Sequence, residues 1–271
     1  MGVKVEYFKD NITLDNLSEY KLFFLLRKGS LSFLVKERAS GDVVYFKSLL
    51  IQESLEHSLA KLLEKDSILS RFEEVEVLGV NVDAHSLVPG RLFDENSLSA
   101  YFEDLYDLKG KELSFAEISG QDVFMIFAHS SFELEILKKY FRIGLIKPNI
   151  IGLIESAIAH KEEEIFLLHI EEKKMNVSYI QGDKLTFLNH FNYSSSADVL
   201  YYVLKIMSLV KLDPKRSSIY LDGNIVEDSE IYKVLFRYVN KLEFFDLSFP
   251  EEISFKKEEL HYFNDIFALS K

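Results

Sequence analysis

The strongest constraint on the fold is one order of predicted elements that occurs twice along the chain. Residues 21–51 contain three apolar stretches separated by two turns, which is the pattern of three consecutive strands. Residues 165–191 show the same pattern. A helix follows each triple, near residues 53–65 in the first series and at about 197–211 in the second, where Ser195 and Asp198 form a capping-box-like pair. A further strand follows each helix, and the two series are offset by about 141 to 144 residues. The sequence therefore predicts an α/β protein of two modules, each a mixed sheet covered by helices.

The repeat and one run of charge predict the domain organisation. The run Lys161-Glu162-Glu163-Glu164 separates the two modules and is the expected boundary. An acidic amphipathic helix, Glu95 to Leu108, is predicted within an inserted segment, either with a solvated polar face or as a dock for a basic partner. The predicted parts are an irregular N-terminal arm at 1–20, a first domain at 21–160 with the insertion at about 84–118, a second domain at 161–255, and a C-terminal helix at 256–271 that packs back on the first domain.

Composition excludes several classes of function. The formal net charge of −12 disfavours binding to nucleic-acid backbones, which requires clustered Lys and Arg. The chain has no cysteine, so disulfides, thiolate catalysis and cysteine-ligated zinc are excluded. No apolar run reaches the roughly 18 residues that a membrane span needs, and the N-terminus lacks the pattern of a signal peptide. We predict a cytoplasmic protein whose partner is another protein, with no nucleic acid and no transmembrane segment.

Sequence motifs of catalysis are also missing. The 7 His residues show no HExxH or comparable metal-binding spacing. The chain contains no GxSxG elbow, no Walker loop and no GxGxxG fingerprint. We therefore predict no catalytic residue and no metal site from motifs.

Three stretches carry a resemblance to a known fold class. Together with the duplicated βββαβαβα order, residues 121–160 resemble the strand, helix, strand and interdomain helix of the pilus-assembly actin-like proteins. The stretches SLSFLV, 30–35, and SLVPGRLF, 86–93, resemble a family of uncharacterised bacterial proteins, typical of Bacteroides relatives, with an actin-like ATPase (ribonuclease H-like) fold. The resemblance implies two lobes around a cleft and covers most of the chain from Lys21 onward. It implies no established activity.

The resemblance also implies where ATP would bind. In this fold class each of two strand-turn-strand loops places an Asp before a Gly, so that the Asp holds the Mg²⁺ shell and the Gly admits a phosphate. In the first loop the Asp position falls near Leu25 and the Gly position near Arg27, with Gly29 displaced. In the second loop these positions fall on His169 and Glu171.

Both loops therefore depart from the pattern of an ATP site. Glu171 and Glu172 carry negative charge where a polyphosphate would lie, and the adenosine-binding turn keeps one glycine, Gly223, where two are usual. Magnesium lacks its usual oxygen ligands. These departures disfavour ATP with Mg²⁺, which stays open as the alternative, and we predict no cofactor.

Three turns supply the candidate cleft residues for nucleotide, ligand or cofactor binding. Each also has an ordinary structural explanation, because a glycine after a strand is a common way to reverse the chain. A strand-end His beside carboxylates is more often structural than catalytic. The candidates are Lys28, Gly29, Ser30, His169, Glu171, Asp222, Gly223 and Asn224.

These observations lead to alternative functional hypotheses. The first is a catalytically silent actin-like protein, a pseudo-ATPase that acts as a protein-binding or scaffold module. The second is a divergent ATPase or phosphotransferase that uses ligands such as Asp222 and Glu171. The third is a sensor that binds a different small molecule in the interdomain cleft. Fold alone does not decide between them.

Overall fold

The structure is a computed structural model that describes residues 2–9, 14–82, 84–102, 106–247 and 261–271. It divides the chain into two compact units, residues 1–151 and 152–269, with Ser270 grouped with the first and Lys271 with the second. The three-strand pattern predicted for residues 21–51 and for residues 165–191 is observed in both units.

The first unit is built on a six-stranded sheet. Its central strand has an unbroken apolar run, Leu22 to Leu26, that is buried on both faces, as expected for a strand covered on two sides. The sheet order is β1-β4-β3-β2-β5-β9. The strands are β1 (Gly2–Phe8), β2 (Tyr20–Arg27), β3 (Ser30–Glu37), β4 (Val43–Leu50), β5 (Glu74–Val80) and β9 (Arg142–Pro148).

Helices α1 (Leu55–Lys65) and α2 (Ser131–Lys138) belong to this unit. Ser54 caps α1 by accepting a hydrogen bond from the backbone N–H of His57 at 3.3 Å, and Leu59 and Leu62 are buried on the inner face of that helix. The cap and the apolar spacing together explain why the helix predicted near residues 53–65 begins where it does.

Part of the N-terminal arm is a regular strand, which corrects the prediction of an irregular segment there. Residues 2–8 form β1, which pairs antiparallel with β4, with Tyr7 opposite Phe46. The prediction gave weight to the turn-forming residues near 11–18. Residues 2–8 are rich in Val, Tyr and Phe, and such a segment gains backbone hydrogen bonds when it pairs with an open sheet edge, here that of β4.

The inserted segment forms a separate three-stranded sheet of order β6-β8-β7, with β6 at Ala84–Pro89, β7 at Lys111–Ile118 and β8 at Val123–Ser130. Strand β8 pairs with β6 and β7, so this sheet extends past the predicted end of the insertion at residue 118. The strand expected at the start of residues 121–160 is observed as β8. Its pairing with β6 and β7 is set by tertiary contacts that the local sequence does not encode.

The acidic α-helix predicted at 95–108 is wrong over its first half. Residues Glu95–Tyr101 form 3-10 turns with a non-helical conformation at Ser97. The side chain of Asp94 accepts hydrogen bonds from the backbone N–H of Asn96 at 3.0 Å and from the Ser97 hydroxyl at 2.8 Å. Such local side-chain bonds compete with α-helix formation. Residues 103–105 lie outside the described residues.

The second unit is built on a five-stranded sheet of order β12-β11-β10-β13-β14. The helix α4 (Ser196–Leu209) has the predicted capping box, in which Ser195 and Asp198 bond each other's backbone N–H groups. The remaining elements are β10 (Glu164–Ile170), β11 (Lys174–Gln181), β12 (Lys184–Asn192), β13 (Ser218–Gly223), β14 (Lys241–Phe244), α5 (Glu230–Tyr238), α6 (Asn264–Leu269) and α3 (Asn149–Ala159), which spans the boundary between the units.

Strand register shows that the two units repeat one arrangement. In the first unit β2 pairs antiparallel with β3 and parallel with β5, and Leu25 lies opposite Gly79 of β5. In the second unit β10 pairs antiparallel with β11 and parallel with β13, and His169 lies opposite Asp222 of β13. Leu25 and His169 therefore occupy corresponding positions, as the sequence comparison predicted.

The C-terminal helix α6 is grouped with the second unit, where it packs against β13. The sequence prediction had placed it against the first domain. Residues 248–260, which include the start of the predicted helix, lie outside the described residues. In the part of the chain that the structure describes, no helix is long and apolar enough to cross a membrane.

Helix α3 approaches the end of α6 so closely that only glycine fits at residue 152. A Cβ atom on Gly152 would lie 2.7 Å from the backbone nitrogen of Leu269 and 2.8 Å from the carbonyl carbon of Ala268. We expect Gly152→Ala to lower the free energy of unfolding by about 1–3 kcal/mol, because backbone atoms must move apart. This loss exceeds the gain of about 1 kcal/mol from better helix propensity. Urea unfolding measures the change.

The matched control is Ser156→Ala in the same helix. The Ser156 hydroxyl is buried and has no hydrogen-bond partner among the described residues, so its removal should change stability by less than about 0.5 kcal/mol. A Gly152→Ala protein as stable as the parent would show that the two helices are not in this close contact.

Candidate functional site

The structure places the candidate residues in two separate groups. Lys28, Gly29 and Ser30 belong to the first unit, at the turn between β2 and β3. Gly29 has a φ of +80°, and nothing lies within 4 Å of the position that its Cβ would take. Its carbonyl oxygen accepts a hydrogen bond from the backbone N–H of Ile51 at 2.8 Å. The group is therefore a tight hairpin turn whose glycine supplies the positive φ.

The second group lies at the ends of two parallel strands in the second unit. Because β10 and β13 are in register, His169 is beside Asp222 and Ile170 is beside Gly223. The Nδ1 atom of His169 is 2.6 Å from Oδ2 of Asp222, and both side chains are almost entirely buried. Sequence reasoning named both residues as candidates. The structure shows that they form one ion pair.

Two asparagines that sequence reasoning missed complete this cluster. The side-chain N–H group of Asn264 donates to Oδ1 of Asp222 at 2.6 Å and to the carbonyl oxygen of Phe245 at 2.7 Å. The amide of Asn176, opposite His169 on β11, donates to Oε1 of Glu171 at 3.5 Å. Asn264 stands beside Phe263, Ile266 and Phe267 in the last helix region, and a polar residue among these apolar ones was the available signal. We call His169, Glu171, Asn176, Asp222 and Asn264 the strand-end network.

Electrostatics holds the histidine of this network in its charged form. Burial disfavours an imidazolium, but hydrogen bonds and charge from Asp222, and then from Glu171, outweigh it and raise the pKa of His169 above its usual range. The second carboxylate lies 3.5 Å from Nε2 of His169. The network therefore contains a charged imidazole that faces two acidic side chains, of which Asp222 is fully enclosed.

Gly223 allows the two strand ends to approach each other. It has a φ of +79°, and a Cβ atom there would lie 2.3 Å from the carbonyl oxygen of Ile170 and 3.0 Å from the imidazole ring of His169. The same carbonyl accepts a hydrogen bond from the backbone N–H of Asn224 at 2.6 Å. The candidates Gly223 and Asn224 thus close the turn over the ion pair.

We expect Gly223→Ala to lower the free energy of unfolding by about 2–3 kcal/mol, since the new methyl group meets backbone as well as an unfavourable φ. The control is Gly182→Ala. Gly182 also has a positive φ, +62°, but it has open space around its Cβ position, so only the conformational cost of about 1–2 kcal/mol applies. Equal losses in the two variants would contradict the close approach at Gly223. Thermal unfolding of both proteins provides the comparison.

The corresponding position in the first unit is apolar. Leu25 is fully buried, faces Gly79 across the β2–β5 ladder, and has no polar group to offer a ligand. Among the residues that the structure describes, no three His, Asp or Glu side chains are grouped so as to hold a metal ion. The ends of β2 and β10 correspond in the two units. One carries a leucine, Leu25, and the other carries His169 of the buried ion pair.

Two sheets with a shared strand order, each led by three antiparallel strands, are the architecture of the actin-like ATPase fold. Among solved structures the chain is similar to a protein of Bacteroides thetaiotaomicron that has this fold and unknown function. The identity is 14%, the match covers 93% of this chain and 95% of the other, and the TM-score is 0.76. It is also similar to a chain of the PilM–PilN type IV pilus biogenesis complex, with 10% identity, 92% and 97% coverage, and a TM-score of 0.65.

The chain belongs to the family described as protein of unknown function (DUF3822), whose sequence profile matches residues 9–242. A comparison with curated proteins finds no match. The fold class expected from the sequence, and the resemblance to uncharacterised Bacteroides-type proteins and to pilus-assembly actin-like proteins, are confirmed.

Proposed function

We propose that the protein is a cytoplasmic, catalytically silent member of the actin-like class that acts by binding another protein. The observation that carries this proposal is that the two corresponding strand ends carry a leucine and a histidine. Leu25 and His169 occupy the positions at which the resemblance to active members expects the Mg²⁺-binding aspartates. Neither side chain is an oxygen ligand, and Mg²⁺ strongly prefers oxygen.

The nearest carboxylate does not replace the missing aspartates. Asp222 is completely buried, and each of its two oxygens accepts a short hydrogen bond, one from His169 and one from Asn264. A metal ion at Asp222 would have to break a buried ion pair, and breaking such a pair is strongly unfavourable. This geometry argues against the alternative of a divergent ATPase or phosphotransferase that uses Asp222 and Glu171.

Three observations support a protein as the partner. The chain is strongly acidic, which disfavours nucleic acid. The second unit also exposes large apolar side chains on two helices, namely Tyr201 and Leu209 on α4 and Phe236 on α5, each more than half exposed. Exposed apolar groups on a soluble protein often mark an interaction surface. In addition, the similar PilM chain was solved in a complex with PilN.

The test combines a search for the partner with a turnover assay. We expect the full chain to co-elute from its source cells with a protein in fixed stoichiometry, and the complex to form again from the two purified components. We also expect phosphate release from ATP with Mg²⁺ to equal the rate without protein. Turnover above that blank, abolished by Asp222→Asn, would favour the divergent ATPase instead.

A further inference from the structure

Helices α4 and α5 cover one side of the five-stranded sheet in the second unit. They lie on the same side, because Val203 of α4 and Leu235 of α5 belong to one buried core cluster with Leu168 of β10. The two helices also pack against each other. Their outer faces are therefore neighbours and point away from the sheet.

The outer faces carry large apolar side chains that the core does not use. On α4, Tyr201 and Leu209 lie on one side of the helix, at the i and i+8 positions of a stripe, and they are 62% and 67% exposed. On α5, Phe236 is 60% exposed, and its ring stacks on that of Tyr232 with the centroids 6.0 Å apart. A side chain that is already held in place loses less entropy on binding.

Exposed cations accompany these apolar side chains. Lys205 lies on the same side of α4 as the two apolar residues there. Lys233 and Arg237 are exposed on α5, before and after Phe236 in the sequence. Within the described part of the chain, these three cations have no carboxylate in ion-pair contact. We define the α4–α5 surface by the exposed side chains of both helices, namely Tyr201, Lys205, Leu209, Lys233, Phe236 and Arg237.

The loop after α4 joins the ends of the two helices and adds to the positive charge. The backbone N–H of Asn240 donates to the carbonyl oxygen of Pro214 at 2.7 Å, and Nζ of Lys215 donates to the carbonyl oxygen of Arg237 at 3.4 Å. Lys211, directly after α4, is exposed at this same end. The helix dipole favours cations here, but it gives no reason for the exposed apolar side chains beside them.

The carboxylates of these elements leave this charge uncompensated. Asp198 and Glu230 lie in the first turns of α4 and α5, at the ends remote from the loop. Asp213, within the loop, contacts Arg216 at 3.6 Å. The local excess of positive charge contrasts with the net charge of −12 of the whole chain. Charge complementarity therefore favours an acidic ligand on this surface.

We propose that the α4–α5 surface binds an acidic amphipathic segment of the partner protein, an inference that rests on the proposed function. The apolar side chains of the segment pack on Tyr201, Leu209 and Phe236, and its carboxylates face Lys205 and Arg237. Burial of the apolar groups supplies affinity, and the cations select an acidic segment over a neutral or basic one.

A membrane with anionic lipids also combines negative charge with apolar groups, but the charge of the chain disfavours it. At physiological salt, electrostatic interactions are largely screened beyond about 8 Å. A short segment seated on the α4–α5 surface therefore interacts mainly with the local cations. A bilayer extends past this surface and faces the acidic remainder of the protein, including Asp198 and Glu230.

Fluorescence anisotropy of the purified full chain with synthetic peptides tests the proposal. The probe is a labelled peptide of about 16 residues with Leu and Phe at amphipathic helical spacing and Glu elsewhere. Two matched peptides replace Glu by Gln, or Leu and Phe by Ser, and so keep only the apolar groups or only the charge. We expect the acidic amphipathic peptide to bind below about 100 μM and about tenfold more tightly than either matched peptide.

Variants of the surface should weaken this binding without unfolding the protein, because the altered side chains are exposed. We expect Lys205→Gln, Arg237→Gln to weaken binding of the acidic amphipathic peptide by about fivefold or more, and Lys205→Arg, Arg237→Lys to retain it. The double variant Tyr201→Ser, Phe236→Ser should weaken binding by about tenfold or more. Circular dichroism of each variant verifies that the fold is retained.

The control is the double variant Lys65→Gln, Lys109→Gln, which removes two exposed charges from the first unit and should leave peptide binding unchanged. Absence of binding at about 1 mM peptide would overturn the proposal, as would equal loss in the control and in the surface variants. Two other occupants would also overturn it. One is a vesicle of phosphatidylserine and phosphatidylcholine that binds while the peptide does not, and the other is a second copy of the chain, seen as a dimer that Tyr201→Ser, Phe236→Ser abolishes.

The same variants separate this surface from the proposed function. If the parent chain and Lys205→Gln, Arg237→Gln both co-elute with a partner in fixed stoichiometry while the peptide fails to bind, the surface assignment is wrong and the protein-binding function stands. If the parent chain co-elutes with no partner, the protein-binding function itself fails.

Discussion

Replacing Asp222 with Ala is expected to lower the free energy of unfolding by about 3–5 kcal/mol, the range for loss of one partner from a buried ion pair. Asp222 is fully enclosed and accepts hydrogen bonds from His169 and from Asn264, each at 2.6 Å. The substitution leaves the buried imidazole without its closest charge and leaves one amide N–H group of Asn264 without an acceptor. The free energy from urea unfolding measures the loss.

A double-mutant cycle measures the coupling free energy between His169 and Asp222. We expect Asp222→Ala and His169→Leu to be less destabilising together than the sum of the single changes, by about 1–3 kcal/mol. The leucine choice follows the first unit, where Leu25 occupies the corresponding position. The control Asp228→Ala removes an exposed acid of the same unit and should change stability by less than about 0.5 kcal/mol. Additive losses would contradict a coupled pair.

The His169–Asp222 pair makes the free energy of unfolding depend on pH, and the direction of that dependence can be predicted. The folded-state pKa of His169 is raised above its unfolded value of about 6.5. Its contribution to stability is therefore fully present below that unfolded value and is lost as the pH rises through the folded pKa. The stability difference between the parent protein and His169→Gln should be larger at acidic than at alkaline pH. A difference that grows with pH would contradict a charged, paired His169.

Replacing Asp66 with Ala is the second change with a large expected effect, also about 3–5 kcal/mol. Asp66 follows α1 and is buried. Its Oδ2 atom accepts hydrogen bonds from the Tyr45 hydroxyl at 2.6 Å and from Nζ of Lys47 at 2.7 Å, and Oδ1 accepts from the backbone N–H groups of Ile68 and Leu69 at 3.1 and 2.9 Å. One carboxylate thus anchors β4, the end of α1 and the following turn.

The pH dependence at Asp66 has the opposite sign. Burial by itself would raise the pKa of this carboxyl. The hydrogen bonds from Leu69, Lys47 and Tyr45 outweigh burial and lower it. The contribution of Asp66 to stability is present above its unfolded-state pKa of about 3.9 and is lost as the pH falls through its folded-state pKa. Tyr45→Phe, which removes one hydrogen bond, should cost about 1 kcal/mol. An Asp66→Ala protein no less stable than Tyr45→Phe would contradict the proposed anchor.

Much of the fold could be predicted from local pattern. The apolar runs and turn glycines of β2 to β4 and of β10 to β12 specify strands because side chains alternate along them and glycine supplies positive φ at turns. Ser195 and Asp198 marked the start of α4 through their capping chemistry. These features depend on residues close in sequence, and for that reason they are visible in a single chain.

The features that were missed depend on distant partners. Strand β1 owes its existence to the free edge of β4. The 3-10 turns at 95–101 are the local exception, because Asp94 bonds groups only two and three residues away. At the strand ends, the sequence predicts His169 and Glu171 next to the turn between β10 and β11, where the structure has them. It could not show that His169 pairs with Asp222, 53 residues away, or that Asn264 closes the network. Long-range polar contacts in a core leave little trace in local sequence.

Calorimetric titration of the full chain with ATP and Mg²⁺ is the most direct test of whether the strand-end network is structural or forms a nucleotide-binding site. We expect no saturable heat at millimolar nucleotide, for the parent protein and for Asp222→Asn alike, because Leu25 and the buried His169–Asp222 pair offer Mg²⁺ no ligand. Micromolar binding to the parent protein, lost in Asp222→Asn and accompanied by release of phosphate, would contradict catalytic silence.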